Sequence, residues 1–278
     1  MHQKIHNLVS YFKHRILHAP IFMQAPIIRG SKNPKYTVVF LHGIAATSNT
    51  WQKTIPELLK NKNLDEMRFI SLDLLGFGKS LQADWLNYDY DDYLKSLRRT
   101  LKKLKIKSNI ILVGHSMGSL IAAKFAEAYP EKISELIFVS PPILMPKEQK
   151  KIPDNFYTKI YSSLHEVADD PAIKTLATFV EKLSNFRKKY LSMKSFQYSM
   201  KNIILNQENY KTFKNLKIKS TIIHGRFDPL VYRPNLQTVA DNNKNIDLIS
   251  VMGDHDITSS KIKKINLILE RTVKNETL

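Results

Sequence analysis

Residues 109–123 read Asn-Ile-Ile-Leu-Val-Gly-His-Ser-Met-Gly-Ser-Leu-Ile-Ala-Ala, an apolar run of strand length that stops at Gly114 and a small-residue helical run that starts just after Ser116. Between the two lies Gly-x-Ser-x-Gly. A chain that passes from strand to helix across five residues must turn so sharply that the serine backbone leaves the ordinary regions and its hydroxyl is pushed out above the sheet. A side chain at Gly114 or Gly118 would meet the neighbouring strand or helix, which is why glycine is needed on both sides. The same serine in a plain loop would only cap the helix that follows. The two glycines argue for the sharp turn, a nucleophile elbow.

The chain on either side alternates regularly. Apolar strands are predicted at Tyr36–Leu41, Met67–Leu72, Ile133–Val139, Ser220–His224 and Ile246–Val251. Helices fall between them: through Trp51, Ile55, Leu58 and Leu59; Tyr90–Leu104; Met117–Tyr129, stopped by Pro130; through Leu236 and Val239; and Ile262–Val273. Strand and helix in alternation predict a mostly parallel sheet covered on both faces, an α/β fold. Phe22–Ile28 reads as a short edge strand in which Pro26 limits the ladder. From Ile143 to Leu216 no strand is evident, while Phe156, Ile160 and Leu164, then Ile173, Leu176, Phe179, Val180 and Leu183, then Phe196, Met200, Ile203 and Ile204 keep helical spacing. So long a loop without structure is improbable. The expected division is residues 1–30 as an N-terminal amphipathic helix and edge segment, 31–142 and 217–278 as the core, and 143–216 as a helical cap insertion.

A serine is a poor nucleophile at neutral pH; it needs a base, and the base needs an orienting acid. Asp228 stands just beyond one strand, in His-Gly-x-x-Asp-Pro, and His255 just beyond the last, in Gly-Asp-His. Both lie at carboxyl ends of predicted parallel strands, the edge where open α/β sheets place their sites. With Gly114-His-Ser116-Met-Gly118 and the His42-Gly43-Ile44 segment, these features resemble the α/β-hydrolase family from about Tyr36 to the C-terminus. The resemblance implies Ser116 as nucleophile, His255 as base and Asp228 as acid. It implies an oxyanion hole formed by the backbone N–H groups of Ile44 and Met117, with no metal and no cofactor. It also makes Asp73-Leu-Leu-Gly76-Phe-Gly78-Lys-Ser80 a marker of the fold, and the 143–216 segment a lid. Asp254 and Asp256 flank His255 but are read as turn residues, and Asp228 also has a plain reading as a turn aspartate before proline. His42, His115 and His224 are read as structural. His2, His6, His14 and His18 form no zinc pattern with a carboxylate.

The chain has 278 residues, 43 Lys+Arg against 25 Asp+Glu, a formal net charge of +18, and no cysteine. Absence of cysteine excludes disulfides and thiol catalysis and fits a cytoplasmic protein. No apolar run reaches the roughly eighteen residues of a membrane span, and Met1–Pro20 lacks the core of a signal peptide. The basic surplus is spread along the chain without a nucleic-acid motif, so no specific nucleic-acid partner is expected. In the first segment Ile5, Leu8, Val9, Phe12, Ile16 and Leu17 share a helical face, with Lys4, Lys13, His14 and Arg15 elsewhere. Packing of that apolar face against its own domain is the expectation; peripheral contact with an anionic membrane is the alternative.

A serine nucleophile resembles neither the epoxide hydrolases nor the haloalkane dehalogenases of the family, and the lipase HGGG run is absent. The resemblance is instead to small capped carboxylesterases and carbon–carbon bond hydrolases. The expected activity is hydrolysis of a small-molecule carboxylic ester (EC 3.1.1) with a small or medium, apolar acyl group. Alternatives are a lysophospholipase or monoacylglycerol lipase at a membrane surface, a carbon–carbon bond hydrolase, or a non-catalytic ligand-binding protein of the same fold. Aromatic and methionine residues of the cap (Phe156, Tyr157, Tyr161, Phe179, Phe186, Met193, Phe196, Tyr198, Met200) suit an apolar ligand and equally a cap with its own core. Oligomeric state is not written in the sequence.

Overall fold

The computed structural model describes residues 2–146, 192–206 and 208–274, with side chains from Asn7 onward. Seven strands form one sheet in the order β1-β3-β2-β4-β5-β6-β7: β1 (Gln24–Gly30), β2 (Tyr36–Leu41), β3 (Met67–Asp73), β4 (Ile110–His115), β5 (Ile133–Val139), β6 (Ser220–Gly225) and β7 (Ile246–Val251). All neighbours from β3 to β7 are parallel; only the edge strand β1 runs antiparallel, to β3. The register of β1 shifts between Gln24 and Ile27, the stretch that holds Pro26, whose missing N–H cannot join the ladder.

The inner parallel strands are largely apolar because both faces are covered. Side chains alternate between them. Val38 and Phe40 of β2, with Phe69, Ile111 and Val113, pack on Trp51, Ile55, Leu58, Ile265 and Leu269. These come from a short 3₁₀ turn (Ser48–Trp51), from α2 (Thr54–Leu58) and from the C-terminal helix (Ser259–Lys274). Val39 and Leu41 face the other way, with Ile70, Leu72 and Leu112, onto Leu97 and Leu101 of α3 (Tyr90–Lys103) and onto α4 (Met117–Ala128). This second core also takes in Phe196, Met200, Ile203 and Ile204.

Those four residues belong to the described part of the 143–216 segment, whose helices after residue 192 are α5 (Met193–Ser199), a wider turn over Met200–Ile204, and α6 (Asn209–Asn215). The aromatic and methionine side chains it shares with the core, Phe196 and Met200, are buried, whereas Met193 and Tyr198 are exposed. The helical patterns at Phe156–Leu164 and Ile173–Leu183, and the aromatics Phe156, Tyr157, Tyr161, Phe179 and Phe186, lie outside the described residues. The remaining α-helices among the described residues are α1 (His2–Tyr11), α7 (Arg233–Asp241) and α8, the helix Ser259–Lys274.

The Asp73–Ser80 turn behaves as a fold marker. Asp73 accepts from the N–H of Ser48 (2.7 Å) and of Lys79 (2.9 Å), and Ser80 accepts from the N–H of Gln24 (2.8 Å), joining the turns after β2 and β3 to the edge strand. Packing is tight at the elbow. A Cβ at Gly118 would stand 2.4 Å from the carbonyl oxygen of Leu41 and 2.6 Å from that of His42. Both are backbone atoms that cannot swing aside. Gly118→Ala is therefore expected to lower stability by about 3 kcal/mol, read as a lower urea midpoint with little change in the slope of the transition.

Candidate active site

Ser116 sits where β4 gives way to α4, with φ 51° and ψ −120°. For a serine this is left-handed territory of the kind that persists only when the surroundings impose it. They do: the Ser116 N–H donates to the carbonyl of Val139 on β5 (2.9 Å), and its carbonyl accepts from the Ser119 N–H (2.9 Å). Although Ser116 occupies the N-cap position of α4, its side chain makes no capping hydrogen bond. The plain helix-cap reading fails, and the hydroxyl is left for other work.

Asp228 lies in the turn after β6 and His255 in the loop after β7. Their side chains meet: Nδ1 of His255 is 2.9 Å from both Oδ1 and Oδ2 of Asp228. Since a carboxylate only accepts, Nδ1 carries the proton and Nε2 is left as the basic nitrogen. Asp228 also accepts from the N–H of Leu230 (3.0 Å), so the turn aspartate and the histidine partner are the same residue in two roles. Burial alone would push its carboxyl up. Hydrogen bonds from His255, Ser140 and Leu230 and the charge of His255 outweigh that and hold it below the usual carboxylate value. Among the described residues the Ser116 hydroxyl makes no hydrogen bond to His255, a contact that commonly tightens only with substrate in place.

The loop after β2 closes on the serine from the other side. A Cβ on Gly43 would stand 3.1 Å from Cβ of Ser116, so the backbone entering Ile44 passes directly beside it. His42 fixes that loop: its Nε2 accepts from the N–H of Leu74 (2.9 Å), so its Nδ1 must donate to the Gly43 carbonyl (2.7 Å). Met117, the other predicted donor, is buried at the first turn of α4.

His115 is equally committed. Its Nε2 donates to the His255 carbonyl (2.9 Å), and its ring stands 5.0 Å from that of His255, tying the elbow to the histidine loop. Both buried imidazoles are held neutral chiefly by desolvation, which pulls His42 down to about 4 and His115 to about 3. His224, likewise pulled down by burial, makes no hydrogen bond to the Asp228–His255 pair among the described residues.

Two contributors carry no mark in the sequence. Lys261, on α8, is fully buried, and its ammonium donates to the hydroxyl of Ser140 (3.0 Å) and to the carbonyls of Asp254 (2.6 Å) and Asp256 (2.8 Å). All three of its N–H donors are used. Burial pulls its value down, against the opposing charges of Asp228, Asp254 and Asp256. Ser140, at the end of β5, passes the chain of bonds on to Asp228. Lys261 thus holds the residues on both sides of His255, and through Ser140 the acid as well. Asp254 and Asp256 behave as turn residues, the Asp254 carboxylate accepting from the Asp256 N–H (3.0 Å).

The α/β hydrolase fold family model matches residues 36–245, which includes the elbow and Asp228. The chain belongs to the α/β hydrolase fold family. A pimeloyl-[acyl-carrier protein] methyl ester esterase of Wigglesworthia glossinidia brevipalpis is 29% identical over 235 residues, 78% of this chain and 86% of that one. A probable lysophospholipase, BODYGUARD 2 of Arabidopsis thaliana, is 28% identical over 123 residues, 44% of this chain and about a quarter (26%) of its own length. Among solved structures, a bromoperoxidase from Bacillus anthracis superposes with a TM-score of 0.69 at 22% identity, covering 93% of this chain and 98% of that one. At that identity the hydrolase fold alone is shared.

Two outcomes are expected from this geometry. Lys261→Met leaves two loop carbonyls and Ser140 without their donor and should lower the urea midpoint by the equivalent of about 2 kcal/mol. Acid destabilisation should set in well above the carboxylate range. An unfolded histidine protonates at about pH 6.5, whereas folded His42 and His115 do so only at about 4 and about 3. Between those values the unfolded chain binds protons the folded one refuses, so their stabilising share is complete above the unfolded value and falls as the pH drops. Urea midpoints measured from pH 7 to 5 should decline, and His115→Gln, which keeps a donor for the His255 carbonyl, should flatten the slope by about one proton.

Proposed function

We propose that this chain is a serine hydrolase cleaving carboxylic esters of small or medium, largely apolar acyl groups. The observation that carries the reading is the Asp228–His255 pair, hydrogen-bonded at 2.9 Å, at the same sheet edge as a serine held at φ 51°. In the proposed reaction Ser116 Oγ attacks the ester carbonyl while Nε2 of His255 takes its proton, and Asp228 stabilises the imidazolium through Nδ1–H. The N–H groups of Ile44 and Met117 receive the oxyanion. Collapse of the tetrahedral species expels the alcohol, which takes the proton from His255. A water, deprotonated by the same nitrogen, then releases the acid and frees Ser116. None of these steps calls on a metal or an organic cofactor.

The ester-hydrolase reading is supported by the Wigglesworthia esterase, aligned over most of both chains. A second reading, hydrolysis of a lysophospholipid or monoacylglycerol at a membrane surface, is favoured by the outward-facing apolar side of α1. A p-nitrophenyl ester series of increasing acyl length separates them, with an optimum at short or medium chains for the first and at long chains for the second. In either case Ser116→Ala is expected to lower kcat on the order of 10⁶-fold. Equal rates for wild type and Ser116→Ala would overturn the serine-hydrolase reading.

A further inference from the structure

Helix α1 meets the body of the protein with its polar side. The residues turned inward are Asn7 and Ser10 of α1 and His14 of the wider turn that follows it, spaced three and four apart. Asn7 donates to the carboxylate of Asp84 (2.6 Å), Ser10 is buried, and the rings of Tyr11 and His14 lie 6.2 and 6.0 Å from that of Trp85. The apolar stripe, which burial in its own domain would have turned inward, faces out. Leu8 is 69% exposed, Val9 62%, Phe12 55%, Ile16 51% and Leu17 64%, and with Tyr11 these are six of the thirteen large exposed apolar side chains among the described residues. The stripe continues past α1 because the chain keeps winding in a wider turn, with the Leu17 N–H bonded to the Phe12 carbonyl (3.0 Å).

We propose that this surface, from Leu8 to Leu17, docks on a lipid bilayer containing anionic headgroups. Scattered exposed apolar residues are ordinary, but a contiguous run of five along one helical stretch marks a contact surface. Lys13 and Arg15 are exposed within the same stretch, the mixture of apolar and basic side chains that lies in a membrane interface. Charge selects the occupant. The chain carries a formal +18, so a second copy would be repelled, whereas an anionic bilayer attracts. Among the described residues no helix is long and apolar enough to cross a membrane, so the contact is peripheral.

The place of α1 adds a consequence. The segment it grips, at Asp84 and Trp85, lies between the carboxyl end of β3 and the start of α3, on the sheet edge that also carries Ser116, Asp228 and His255. The same stretch of chain anchors the helices after residue 192, through Ser195 Oγ to the Gly76 carbonyl (2.8 Å) and Asn202 Nδ2 to the Asn87 carbonyl (2.7 Å). Docking would hold that edge beside the lipid.

The test is co-sedimentation of the whole chain with vesicles of phosphatidylcholine alone and of phosphatidylcholine with an equal share of phosphatidylglycerol. Retention on the anionic vesicles, lost in high salt, is expected for wild type, with at least about a tenfold fall in partitioning for Leu8→Ser/Phe12→Ser/Leu17→Ser. The triple variant, altered only at exposed positions, should keep the wild-type thermal unfolding profile, so a folding defect is recognised separately. Three results would overturn the proposal: no retention of wild type; equal retention of variant and wild type, which reduces the effect to diffuse charge; or a wild-type dimer, seen by light scattering without lipid, that the variant dissolves. None of these readouts depends on ester turnover, so a failure of the serine-hydrolase reading is recorded apart from a failure of docking.

Discussion

Everything at the candidate site depends on how closely α4 approaches β2. Gly118 brings the first turn of the helix against the carbonyls of Leu41 and His42, and Gly114 lies equally close to the backbone of Ser119. No other residue type permits that approach. It fixes Ser116 in a conformation that serine adopts only under constraint, and it places Gly43 against the serine Cβ. The neighbouring hydrogen bonds from Ser116 to Val139 and from Ser119 to the Gly114 carbonyl (2.7 Å) then spread the strain over two strands. Backbone geometry, set by two missing side chains, is therefore what aims the hydroxyl.

The electrostatic arrangement works outward from there. Of the three histidines around the serine, two are buried and kept neutral, each with both its tautomer and its direction set by a backbone partner. Only His255 is paired with a carboxylate. Neutral neighbours matter here, because a second imidazolium close to His255 would oppose its protonation. Among the described residues the one buried cation, Lys261, is placed behind Ser140 and the loop carbonyls and not against the imidazole itself. It orients the loop without competing for its proton.

Much of this was legible in the sequence because it rests on local constraints. The elbow glycines, the strand and helix periods, and Asp228 and His255 beyond their strands are all short-range signals, and five of the parallel strands and the edge strand fall within two residues of their predicted bounds. Lys261 was not legible. On a helix reading Ser-Ser-Lys-Ile-Lys-Lys, it looks like any solvated lysine, and only the tertiary position of Ser140 and of two carbonyls makes it interior. The orientation of α1 was hidden for the opposite reason. Its amphipathic pattern was plain, but periodicity reports that a helix has an apolar side and not what that side meets. The expectation of burial was reversed by Asn7, Ser10 and His14, polar residues that take the inward positions.

The strand order has a temporal side. Chains are synthesised and begin to fold from the N-terminus. β4 and the elbow pair with β2 and β5, all complete by residue 139. Asp228, His255 and the Lys261 that steadies them come later, from the turn after β6, the loop after β7 and α8. A nascent chain can thus hold Ser116 at its strained turn while the Asp228–His255 pair is still unmade. On the proposed serine-hydrolase reading such a chain would be inert until Asp228, His255 and Lys261 are in place, so the site is completed later than its most strained residue is set.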